Sequence, residues 1–109
     1  MTSSGERISF KNKQEAENLL IESRNRIDEI DNQLFKLISQ RTSYAKNIAL
    51  SKDYLEMPIY DEGREKEIHE KIDGLCEEFD LDVEIIDQII DMLTILNKNE
   101  QKKILKEEC

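Results

Sequence analysis

Tryptophan is absent from this chain of 109 residues, and proline occurs once and glycine three times. The glycine and proline that strand-rich folds use at their turns are therefore scarce. Glu, Lys, Ile, Leu and Asp dominate instead, which predicts an all-α fold. Cysteine is scarce too: Cys76 lies inside a helical pattern and Cys109 is the last residue. No Cys or His neighbour stands at ligand spacing, so neither a disulfide framework nor a metal site is expected, and both thiols read as bystanders. No run approaches eighteen apolar residues, and the start MTSSGERISFKNK has no apolar leader segment. That predicts a cytosolic (cytoplasmic) protein with neither a membrane span nor a signal peptide. Positive charge is in deficit, with 16 Lys and Arg against 25 Asp and Glu and a net charge of −9. Nucleic acid and anionic membrane are poor partners for such a chain, and an anionic ligand would have to find a local positive patch. No Ser or Cys nucleophile has a His at hand, and no Gly-rich loop could cradle a phosphate. Any catalysis would proceed without a covalent step, a metal or a cofactor.

Against these absences stands a long periodic segment. Residues 1–12 are charged and aperiodic and predict a disordered tail, with one helical domain following over 13–105. Leu20, Ile27, Leu34, Arg41, Ile48 and Leu55 recur every seven residues, accompanied by Ile30, Leu37 and Tyr44. The pattern predicts a single helix over about 13–55, roughly 60 Å long. A chain this small cannot cover such a rod alone, so pairing with a second copy is expected, giving an intertwined homodimer of three-helix chains. Pro58 stops the first helix, and Asp61 is placed to cap a second over about 62–79, with Ile68, Ile72, Leu75 and Phe79 on one face. Asp82 caps a third, apolar over a wide arc through Val83, Ile86, Ile90 and Leu93. Its inner stripe continues as Asn97 and Gln101, and the terminal KKILKEEC is expected to fray.

Arg41 occupies a position where the heptad row calls for leucine, and Lys52 lies eleven residues further along. At that spacing the two are about 16 Å and about 20° apart on one helix face, close enough to serve one ligand. Burying an unpaired charge costs several kcal/mol, so two cations on an inner stripe imply an anion between them. Arg24 is seventeen residues before Arg41, about 25 Å and about 100° away, too far to share the ligand within one chain. An antiparallel partner would bring its Arg24 to the site, giving two shared sites per dimer. Arginine forks suit carboxylates and lysine supplies a point charge, so a small dicarboxylate with a third polar atom fits the set. Glu65, preceded by Arg64, falls on the face of Ile68 and Ile72 and could accept from a ligand hydroxyl. Structural alternatives stay open for each residue: a helix-dipole role for Glu65, surface pairing for Arg24, coiled-coil register for Arg41, snorkelling for Lys52, and helix-pairing specificity for Asn97 and Gln101. His69, amid charges, reads as an exposed bystander.

With these residues in place, the chain resembles the all-α chorismate mutases, interlocked dimers of three-helix chains. The likeness runs from about Leu19 to Gln101 without a gap. It takes in the R-x-x-I-x-x-x-D of Arg24, Ile27 and Asp31, then Leu34, Gln40, Arg41, Lys52 and Pro58. The D-x-x-R-E of Asp61, Arg64 and Glu65, the Leu81-Asp82 pair, Asn97 and Gln101 complete it. The resemblance implies that Arg41 and the partner subunit's Arg24 hold two carboxylates, that Lys52 and Gln101 donate to the ether oxygen, and that Glu65 accepts the ring hydroxyl. Arg64 and the Asp61 backbone would line the same wall, and Asn97 would face the ring carboxylate. Asn97 replaces a frequent Ser, and Tyr60 stands where a basic residue can precede the Asp. The implied activity is conversion of chorismate to prephenate, in the shikimate route to aromatic amino acids, by a stand-alone enzyme. Isochorismate pyruvate elimination or rearrangement of an amino-substituted chorismate is an alternative on the same fold, and a non-catalytic dimerisation module is an alternative of another kind.

Overall fold

The computed structural model describes residues 7–108. The expectations for residues 1–6 of the tail and for Cys109 fall outside them. Among the described residues there are four helices and no strand: α1 Lys13–Ser43, α2 Ala45–Tyr54, α3 Glu62–Phe79 and α4 Val83–Glu108. The fold is all-α. None of the helices is long and apolar enough to cross a membrane. The chain divides into two units, Met1–Ser39 and Gln40–Cys109.

In the first unit, residues 7–12 carry no helix, and α1 opens on Asn12. Its Oδ1 accepts from the Glu15 amide at 2.9 Å while the Glu15 carboxylate accepts from the Lys11 amide at 3.0 Å. Amides on both sides of the helix start are thereby satisfied. No residue of α1 is buried. Its heptad row stands open, with Leu20, Ile27 and Leu34 each about half exposed.

The long helix expected over 13–55 is present as α1 and α2, with a tightened turn at the single residue Tyr44 between them. In a regular helix the Tyr44 amide would donate to the Gln40 carbonyl. The Ser43 hydroxyl donates to that carbonyl at 2.6 Å, and the Tyr44 amide donates instead to Arg41 O at 3.3 Å. A short side chain competing for backbone acceptors has tightened one turn. Tyr44 keeps right-handed backbone angles, and the Ile48 amide donates to its carbonyl at 3.0 Å, so α2 begins at once.

Within the second unit α2 and α3 both pack on α4. Ala45 and Ala49, one turn apart on α2, have no exposed surface, and their small side chains allow the helices a close approach. The end of α2 is sealed by paired bonds, Glu56 N to Asp53 O at 3.1 Å and Met57 N to Lys52 O at 2.8 Å. Glu56 adopts φ 56° between them, a left-handed cap of the kind that turns the chain back across the helix end. Asp61 then caps α3, its carboxylate accepting from the Arg64 amide at 3.1 Å, and Asp82 caps α4 by accepting from the Ile85 amide at 3.2 Å. Phe79, placed by periodicity on the inner face of α3, is 62% exposed. Beyond Phe79, Asp80 turns left-handed with φ 55°, which carries the chain away from that face. The terminal segment expected to fray is helical to Glu108, because Ile104 and Leu105 are half-buried and anchor the last turns.

Candidate active site

Seven of the eight site residues expected from the sequence line one cavity of about 440 Å³ in the second unit: Arg41, Lys52, Asp61, Arg64, Glu65, Asn97 and Gln101. That volume lies within the range of small-molecule pockets. The eighth, Arg24, is an exposed residue of α1 in the first unit and is not among the lining residues. Tyr44, Ile48, Ile59 and Ile68 supply apolar wall, and Thr94 and Lys98 add polar groups.

Arg41, at the last turn of α1, donates from Nη1 to the Leu93 carbonyl of α4 at 3.2 Å. Among the described residues no carboxylate lies within ion-pair distance of it. A guanidinium has five donor hydrogens, so most remain for a ligand. Lys52 lies in the last turn of α2, where a cation is favoured by the exposed helix carbonyls. The return of the chain after Glu56 brings Ile59 O to 2.6 Å from Lys52 Nζ, and Gln101 Oε1 lies 3.4 Å away on the other side. Two of three ammonium hydrogens are thus committed to neutral acceptors, and among the described residues no carboxylate lies within ion-pair distance of Lys52.

Gln101 is 4% exposed. With Oε1 turned to Lys52, its Nε2 faces Asn97 Oδ1 at 2.6 Å. An amide nitrogen carries two hydrogens, so one is left after Asn97 is satisfied, and Asn97 retains its own NH2. The carboxylate of Asp61 is held by the cap on α3, and Arg64 Nη1 lies 3.4 Å from Glu67 on the exposed side. Glu65 Oε2 is 3.1 Å from Lys98 Nζ, with the two side chains 27% and 25% exposed. Lys98 Nζ also sits 5.2 Å from the centre of the Tyr60 ring.

Sequence reasoning missed Lys98. The available signal was its position immediately after Asn97 on α4, at the edge of the amide stripe. His69 also departs from the bystander reading. It is half-buried, with Nδ1 3.4 Å from Asp87 and Nε2 3.1 Å from Asp91, and it ties α3 to α4 outside the cavity. Cys76 is buried, and burial first, then the neighbouring Asp87, Asp73 and Asp82 carboxylates, pushes its thiol above the usual range. Among the described residues no cluster of His, Cys, Asp and Glu could hold a metal.

A family model described as chorismate mutase type II matches residues 23–102. The chain belongs to the type II chorismate mutase family. It is 46% identical over 88 residues to a chorismate mutase of Methanocaldococcus jannaschii, an alignment covering 81% of this chain and 89% of that one. It is 33% identical over 94 residues to a bifunctional chorismate mutase/prephenate dehydratase of Buchnera aphidicola subsp. Acyrthosiphon pisum, covering 86% of this chain and 24% of the relative. A second bifunctional enzyme of that name, from Buchnera aphidicola subsp. Schizaphis graminum, is 31% identical with the same coverage. The likeness to the bifunctional proteins therefore spans about a quarter of their length. All seven cavity residues named above fall inside the matched span of this mutase family.

Proposed function

We propose that this protein converts chorismate to prephenate in the cytoplasm, as a homodimer whose helical domain covers 13–105 and whose cavities each receive the partner subunit's Arg24. One observation carries the reading. Arg41, Lys52, Arg64 and Lys98 face Asp61 and Glu65 around the cavity, an excess of two positive charges in a chain whose net charge is −9. A dianion of modest size is what such a cavity would hold.

Chorismate rearranges by breaking an ether C–O bond while a C–C bond forms between the two ends of the same molecule, so no proton, electron or water is consumed. What a protein can add is confinement of a reactive conformer and stabilisation of the charge that gathers on the ether oxygen. Arg41 grips one carboxylate through its fork, and the partner subunit's Arg24 grips the other. Asn97 donates its NH2 to the ring carboxylate. The remaining hydrogens of Lys52 and Gln101 converge on the ether oxygen, where their donors already stand oriented by Ile59 O and Asn97 Oδ1. Preorganised donors of this kind act on the transition state more than on the ground state. Glu65 accepts the ring hydroxyl, and Arg64 with the Asp61 backbone closes the wall.

Homodimer formation is supported by the open heptad row of α1 and by how little the single chain buries. Ala45, Ala49 and Cys76 are its buried apolar residues among those described. The test is an assay offering chorismate, isochorismate and amino-substituted chorismate in turn, following loss of diene absorbance with identification of product. Prephenate formed from chorismate, with turnover abolished in Arg41→Leu, is the expected outcome. Pyruvate released from isochorismate in preference would contradict it, as would absence of turnover on all three.

A further inference from the structure

Lys98 is a cation that the assigned roles leave unused, although it lines the cavity. It is held from two directions, by Glu65 of α3 at 3.1 Å and by the Tyr60 ring in the preceding loop at 5.2 Å. At 25% exposure it is not a free surface lysine. We propose that Lys98 is a specificity-determining residue: by pairing with Glu65 it makes the cavity accept a neutral hydroxyl on the substrate ring and reject an analogue carrying an ammonium there. This rests on the reading of Glu65 as the acceptor of the ring hydroxyl.

The argument follows from what a lone carboxylate prefers. An ammonium donates charge-assisted hydrogen bonds roughly twice as strong as those of a neutral donor. A bare Glu65 would therefore favour an amino-substituted ring, since an alkyl amine is protonated at neutral pH. Lys98 reverses the preference in two ways. Its Nζ takes up part of the acceptor capacity of Oε2, and the carboxylate keeps enough for the single hydrogen of a hydroxyl. Its charge also compensates the carboxylate, so an ammonium arriving at Oε1 would meet a second ammonium across one carboxylate group. Like charges that close in a partly screened site differ by about tenfold or more in binding.

The test compares full-length wild type, Lys98→Met and Glu65→Gln, each verified as folded by circular dichroism and melting temperature. Methionine keeps the unbranched stem beside Tyr60 and removes the charge, and Lys98→Gln serves as the second variant if Met disturbs folding. For each protein kcat/KM is measured with chorismate and with amino-substituted chorismate. Where the analogue turns over too slowly, its inhibition constant against chorismate replaces the second value. The amino-to-hydroxyl preference should rise about tenfold or more in Lys98→Met and fall in Glu65→Gln, where Lys98 is left without its counter-charge. A preference that shifts in Glu65→Gln and stays at the wild-type value in Lys98→Met overturns the role of Lys98 while leaving Glu65 at the ring substituent. A preference unmoved in both variants overturns the reading of Glu65, and the inference with it.

Discussion

On the proposed mechanism Gln101 would set the pH behaviour of the site. An amide donates at any pH, whereas a carboxyl in its place would donate only while protonated. The wild-type enzyme should therefore show kcat/KM nearly flat from pH 6 to 8. Gln101→Glu should fall steadily with rising pH as its carboxyl ionises. A steep loss in the wild type over that interval would remove Gln101 as a constitutive donor. Cys76 bears on stability instead. Its thiol titrates higher folded than unfolded, so its contribution is whole below the unfolded pKa of about 8.5 and is lost as pH rises through the folded value. Denaturant unfolding at pH 7 and pH 10 should show a smaller drop in Cys76→Ala than in wild type, and equal drops would contradict this. Arg41 and Lys52 were legible in the sequence, because Arg41 breaks the apolar heptad row and Lys52 lies eleven residues further along nearly the same face. Lys98 was not, since its partners Glu65 and Tyr60 lie on another helix and a loop, and a lysine between Asn97 and Asn99 reads as solvated.

The helix boundaries that place these side chains rest on local chemistry that substitutions can probe. Asp61 satisfies the α3 start, and Asp61→Ala should cost about 1 kcal/mol in urea unfolding. Ser43→Ala should return the Tyr44 amide to Gln40 O and gain a few tenths of a kcal/mol, up to about 0.5. An unchanged or lowered stability would mean that the Ser43 hydroxyl is not what divides α1 from α2. An added Cβ at Gly74 would meet nothing within 4 Å, so Gly74→Ala should stabilise α3 by up to about 1 kcal/mol, read as a higher melting temperature. The caps at Asp61 and Asp82 could be read in advance because each is a one-residue signal next to an apolar period, whereas α2 ends at Tyr54 under the left-handed Glu56 cap, ahead of the stop expected at Pro58. The division at Tyr44 could not, because a serine hydroxyl in mid-helix points either to solvent or to a carbonyl, and the sequence does not distinguish the two. The continuation of α4 to Glu108 was hidden by its outward charges, Lys102, Lys103 and Lys106, which mask the half-buried Ile104 and Leu105.

At the scale of the whole molecule, the proposed homodimer would supply burial that the single chain lacks. Folding entropy of roughly 1–2 kcal/mol per residue has to be offset by burial, yet no large side chain among the described residues is fully buried in one chain. Leu20, Ile27 and Leu34 stand open on α1, and Arg24 is exposed between Leu20 and Ile27. A second copy of the chain would cover the apolar row and carry its Arg24 to the first copy's cavity in one arrangement. Arg24→Ala and Lys52→Ala chains, each inactive alone, should then regain activity when mixed under conditions of proven subunit exchange. Every mixed dimer rebuilds one intact site, so an equimolar mixture should reach about a quarter of wild-type activity. Confirmed exchange with no recovered turnover would show that each cavity draws its residues from a single chain.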